Sequence, residues 1–75
     1  MPSTVIEVPQ VPLLRRVRRW RAYSQADLAE ASGVSVRTIR AAEKQSSISL
    51  RSLRKLAQAL DVEPHELTGE EWERG

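Results

Sequence analysis

The pattern of apolar and polar positions changes character after Pro12. Before that point Pro2, Pro9 and Pro12 remove backbone donors and bias their predecessors to extended conformations, so residues 1–12 read as an arm. Within the arm Thr4 to Val8 is rich in β-branched residues. That stretch reads either as a short strand that pairs with a second copy or another protein, or as a tail without fixed structure. From Leu13 the apolar spacing becomes three to four: Leu13, Leu14, Val17 and then Trp20 or Arg21 form the inner face of a first helix. Its other face carries Arg15, Arg16, Arg18 and Arg19, and five arginines fall between Arg15 and Arg21.

Ser24 is placed to cap a second helix, with Asp27 in capping-box position, and Gly33 suits the left-handed residue that ends it. One residue later Ser35 caps a third helix, predicted to run to about Lys44 with Val34 and Ile39 facing inward. Two short helices joined by a tight glycine-bearing turn are the arrangement of a helix-turn-helix. Gln45 to Ile48 reads as a polar loop, and Ser49 opens a fourth helix with the stripe Leu50, Leu53, Leu56, Ala57 and Leu60, ended by Asp61 and Val62. Pro64 fits the first position of a short fifth helix anchored by Leu67. The expected organisation is therefore an arm over 1–12, an all-α five-helix domain over 13–68, and an acidic tail over 69–75 in which Trp72 folds back or meets a partner. No internal repeat is visible.

Composition narrows the chemistry. Aromatics are 4% of the 75 residues and Phe is absent, so the core falls to Leu, Val, Ile and Ala, which suits packed helices. With no cysteine there is no disulfide or thiolate metal site, and His65 alone gives no metal set, no catalytic partner and no implied cofactor. No phosphate-binding glycine loop, export signal or membrane span is legible, which leads to the expectation of a soluble, non-enzymatic, cytoplasmic protein. Net charge is only +2, but the signs are sorted. Arg15 to Lys55 holds eleven Lys and Arg against Asp27, Glu30 and Glu43, whereas Asp61 to Gly75 holds six acids against Arg74. A basic body points to a polyanionic partner, double-stranded DNA above all.

In a helix-turn-helix the second of the paired helices presents its N-terminal residues to base edges. With Ile39 and Ala42 inward, Val36, Arg37, Arg40, Ala41 and Lys44 face out. Arg37 and Arg40 are the expected base readers, because a guanidinium fork matches O6 and N7 of guanine, and Val36 or Ala41 suits a thymine methyl. Gln25, Ser35, Thr38, Lys44, Ser46 and Ser47 are expected at the phosphates. Arg15, Arg16 and Arg19 read either as solvated surface or as a source of unspecific attraction to DNA.

The ordered set Leu14, Val17, Arg18, Ser24-Gln25, Leu28-Ala29, Gly33-Val34-Ser35, Thr38-Ile39, Glu43, Ser49-Leu50, Leu53, Leu56-Ala57, Ala59-Leu60 and Glu66-Leu67 resembles the phage-repressor and Cro-like (Xre-like) helix-turn-helix family, from Leu14 to Thr68. The resemblance implies a lambda-repressor-like fold from a prokaryote or phage. It also implies that Gln25, Val36, Arg37, Arg40 and Ala41 contact DNA, and that Arg18 pairs with Glu43. Three positions depart from the family pattern. Ala22 stands where Gly is usual, the loop after Glu43 lacks Gly and Pro, and Ala42 is small, which leaves either unusually close packing or Trp20 to fill the space. The function implied is a transcriptional repressor acting as a homodimer on an inverted repeat, with the dimer seam near Leu60 to Trp72. The alternative is an antitoxin or other interaction module that holds a toxin or regulatory protein through its arm or tail. An adaptor that has lost DNA binding is disfavoured by the basic body.

Overall fold

Three serines start three of the helices in the computed structural model, which describes residues 9–69. The chain forms α1 (Leu14–Trp20), α2 (Gln25–Ser32), α3 (Val36–Glu43), α4 (Leu50–Leu60) and α5 (His65–Thr68), with no strand among the described residues. Ser24 Oγ accepts the Asp27 N–H at 2.9 Å while Asp27 Oδ2 accepts the Ser24 N–H at 3.0 Å, a complete capping box. Ser35 and Ser49 each accept the amide three residues on, from Thr38 and Ser52. The all-helical fold expected from the apolar spacing is the fold observed. Pro64 sits immediately before α5 with helical dihedrals. The strand expected over Thr4 to Val8, and the tail from residue 70 with Trp72, lie outside the described residues.

The helix ends are less ordinary than the starts. Gly33 closes α2 at φ 79°, as its sequence position suggests, but Ala22, Gln45 and Asp61 also hold positive φ, of 62°, 74° and 58°. Each is the turning residue of a helix-ending motif with two reversed hydrogen bonds. Tyr23 N–H donates to Arg18 O and Ala22 N–H to Arg19 O after α1. Ser46 with Gln45, and Val62 with Asp61, repeat the pattern after α3 and α4. The backbone therefore takes the glycine-type turn at Ala22 and Gln45 although no glycine is present, and the side chain strains the turn.

Twelve aliphatic residues form the core among those described, drawn from every helix and from the connections between them. Leu14, Leu28, Ile39, Leu56, Leu60 and Leu67 are fully buried. Three positions differ from the sequence pattern. Trp20, expected on the inner face of α1, is 78% exposed and so does not fill the space at the fully buried Ala42. The inner face of α1 runs through Leu14 and Arg18, and Trp20, two residues beyond Arg18, lies about 200° around the helix from it. Leu50, the first residue of the α4 stripe, is 52% exposed because it lies at the open end of its helix. Val11, assigned to the arm, is instead 1% exposed. Its carbonyl accepts the Leu14 N–H at 3.0 Å, so it continues the inner stripe of α1 backward by one turn. Beside it Pro9 O accepts the Ile48 N–H at 3.0 Å and Gln10 Nε2 donates to Gln45 O at 2.8 Å, which fastens this segment to the loop between α3 and α4.

Ala22→Gly is expected to raise stability by about 1 kcal/mol, the scale of the penalty an L side chain meets in a left-handed conformation, and so to raise Tm by about 4–8 °C. Gly33→Ala, where space is open but φ is 79°, should lower it by a similar amount. Thermal unfolding followed by circular dichroism measures both, and unchanged midpoints would contradict the strain.

Candidate nucleic-acid interface

A reading helix must be held from behind and left open in front. Behind α3, Ile39 and Ala42 are fully buried and Val34 fixes the turn before it. In front, Arg37, Arg40 and Lys44 are exposed and Ala41 is half-buried, so they form one stripe at spacings of three, four and seven residues. Val36 is half-buried at the first turn. The four expected base readers, Val36, Arg37, Arg40 and Ala41, therefore share α3, with the two arginines the most accessible.

The far end of α3 is locked by a buried ion pair. Glu43 receives Arg18 Nε at Oε2 (2.5 Å) and Arg18 Nη2 at Oε1 (3.1 Å), and the side chains are only 6% and 10% exposed. Arg18 Nη1 also donates to Tyr23 O at 2.7 Å, in the turn between α1 and α2. Gln25 Nε2 donates to Glu43 Oε1 at 3.0 Å. The helical spacing had placed Arg18 with the outer arginines, whereas the family resemblance paired it with Glu43; the pairing is what forms. Burial pushes the Glu43 carboxyl up, but hydrogen bonds from Arg18 and Gln25 and the charges of Arg18 and Arg15 outweigh it and hold it below the ordinary glutamate range. No buried side-chain nitrogen or oxygen among the described residues lacks a partner.

The six residues expected at phosphate fall into two groups and one residue apart, Gln25. Lys44, Ser46 and Ser47 are exposed at and beyond the end of α3, on the loop that Pro9 and Gln10 brace. Ser35 and Thr38 act as a unit: Ser35 Oγ accepts the Thr38 N–H and donates to Thr38 Oγ1 at 3.0 Å, which leaves the Thr38 hydroxyl proton to point elsewhere. Gln25 is half-buried and spends one amide N–H on Glu43, a positioning role that its sequence context did not announce. Sequence reasoning also missed the Pro9–Gln10 brace, because the prolines on either side of Gln10 argued for a detached arm. The remaining signal was Val11, three residues before Leu14 and in phase with it.

Among the described residues there is no group of three or more His, Asp or Glu placed to hold a metal, and no helix is long and apolar enough to cross a membrane. Residues 14–67 match the profile of a family described as helix-turn-helix. A solved structure, the restriction-modification controller protein C.AhdI from Aeromonas hydrophila, is similar to this chain at 40% identity. The match covers 75% of this chain and 86% of that one, with a TM-score of 0.70. No curated protein matches.

Removing one partner of the buried pair leaves the other charge unpaired, so Arg18→Met should cost about 3–5 kcal/mol, enough to unfold much of so small a domain. The double change Arg18→Met with Glu43→Leu should recover a large part of that loss, and a double change as damaging as the sum of the singles would argue against the pair. The pH dependence has a definite sign. Because the folded Glu43 carboxyl titrates below its unfolded value, its contribution is complete at neutral pH. It drains away as pH falls from the ordinary glutamate range through the depressed one. Asp27, held low by the Ser24 backbone and hydroxyl, acts in the same direction. Denaturant titrations between neutral and acid pH should show a shallower loss of stability for Glu43→Gln than for the parent chain.

Proposed function

The chain belongs to the helix-turn-helix family of DNA-binding transcription regulators, and on that premise we propose that it is a homodimeric repressor reading an inverted repeat through α3. The observation that carries this reading is the division of α3: Ile39, Ala42 and Glu43 hold it to the core while Arg37 and Arg40 stand exposed on its outer stripe. Each arginine fork takes a guanine edge in the major groove, and Val36 and Ala41 rest against thymine methyls or sugar edges beside it. Ser35 orients Thr38 toward phosphate, Lys44, Ser46 and Ser47 grip the backbone beyond the helix, and Gln25 contributes its remaining amide proton. Two copies place their reading helices about 34 Å apart along one face of the duplex. A domain of this size represses by occupying a promoter, in the cytoplasm where the DNA is. The likeness to a restriction-modification controller supports a narrower reading, that the genes governed are those of such a system.

Selection of bound duplexes from a random library tests the reading directly. The parent chain should enrich an inverted repeat containing guanine. Arg37→Ala with Arg40→Ala should abolish the enrichment, each lost contact costing about 1–3 kcal/mol of discrimination. Lys44→Ala should weaken selected and random duplexes alike and reduce the salt slope by about one. A single half-site, or a sedimenting monomer on DNA, would overturn the dimer. The narrower reading expects the selected repeat ahead of restriction or methyltransferase genes, and its absence there would sink it.

A further inference from the structure

α1 carries a charged face that the reading helix does not explain. Arg15, Arg16 and Arg19 are exposed, and none of them forms a salt bridge among the described residues. They are not isolated on a polar surface. One groove runs between Leu13 and Arg15, Arg16 and Arg19; a second is lined by Arg16, Val17, Arg19 and Trp20. The two share Arg16 and Arg19, so they form one track along the helix, with an apolar floor and cationic walls. Its far end is the exposed Trp20, over whose ring Arg21 lies 5.5 Å from the centroid.

The chain itself emerges at the other end of that track. Leu13 N–H donates to Leu67 O at 3.1 Å, and a Cβ on Gly69 would sit 3.5 Å from Leu13 Cδ1. Gly69 holds φ 79°, so the backbone turns as it leaves α5 beside Leu13. The next four residues are Glu70, Glu71, Trp72 and Glu73. Three carboxylates and one large apolar ring are what a track of three guanidinium groups over Leu13 and Val17 would accept. Reach is sufficient: the four residues 70–73, when extended, span up to about 14 Å, whereas the seven residues of α1 rise about 10 Å.

We propose that residues 70–73 dock in cis along the outer face of α1, with the three glutamates on Arg15, Arg16 and Arg19 and Trp72 on the Leu13–Val17 floor. The same chain is the favoured source because so short a connection gives the tail an effective concentration that a second copy or a free acidic protein does not match. Exposed ion pairs are individually weak, so the docking is sensitive to salt. While docked, the tail supplies the α1 arginines with carboxylate in place of phosphate. Binding to a duplex then depends on α3 rather than on unspecific attraction by α1. That consequence rests on the reading of α3 given above; the docking itself does not.

The test uses the full chain without DNA. At low salt, nuclear Overhauser contacts should connect the Trp72 indole protons with the methyl groups of Leu13 and Val17. They should lose most of their intensity in Glu70→Gln with Glu71→Gln and Glu73→Gln, and in high salt. Absence of these contacts in the parent chain would overturn the docking. Their survival in the triple variant would overturn the role of the carboxylates. Contacts that pass an isotope filter in a mixture of labelled and unlabelled chains arise between copies, and would overturn the assignment in cis.

Discussion

Arg18 and Glu43 join parts of the chain that the helices alone would leave loosely related. The pair ties the middle of α1 to the last turn of α3, and through Tyr23 O and Gln25 it also takes in the start of α2. Charges this buried are tolerable only when their hydrogen-bonding capacity is matched, and here the guanidinium fork, a backbone carbonyl and an amide supply the match. The lock therefore fixes an angle rather than merely adding cohesion. A helix of eight residues has few apolar contacts with which to resist rotation, and Ile39 and Ala42 alone would let α3 roll. Glu43 pins its end, so the stripe of Arg37, Arg40 and Lys44 keeps one direction.

The same economy governs the connections. Serine caps start α2, α3 and α4, while three of the helix-ending turns use Ala22, Gln45 and Asp61 where glycine would be unstrained. Strain of this kind persists only where the surroundings over-determine the backbone. After α1 the surrounding constraint is the Arg18 carbonyl and guanidinium, both bonded to Tyr23. After α3 it is the brace from Gln10 to Gln45 O and from Pro9 to Ile48, which also steadies the loop bearing Ser46 and Ser47. Both constraints bear on the elements that flank α3.

Charge is sorted in space as it is in sequence. The exposed cations of α3 face outward from a helix that the core holds, whereas those of α1 line a track that begins where the acidic tail departs. One basic surface is thus built on a locked element with short side chains between its arginines, and the other on a helix whose arginines stand shoulder to shoulder. The first arrangement favours discrimination among base edges, the second attraction to any anion.

Local chemistry determined much of this protein without tertiary help. Capping serines, the glycine after α2 and apolar stripes such as Leu53, Leu56 and Leu60 at three-to-four spacing are written in the sequence, because caps and amphipathic stripes depend on residues within one or two turns. The outward set on α3 was legible for the same reason. What only the tertiary structure decided were matters of partners distant in sequence. Arg18 shares its helix with three outer arginines, and nothing in its own neighbourhood says that Glu43, twenty-five residues away, draws it inward. Trp20 reads as core until α1 packs through Leu14 and Arg18 and turns the indole outward, and Val11 reads as arm until Leu14 and the α3–α4 loop close around it. Periodicity tells which residues share a face; whether that face meets another element, a carboxylate or solvent is fixed only when the helices pack.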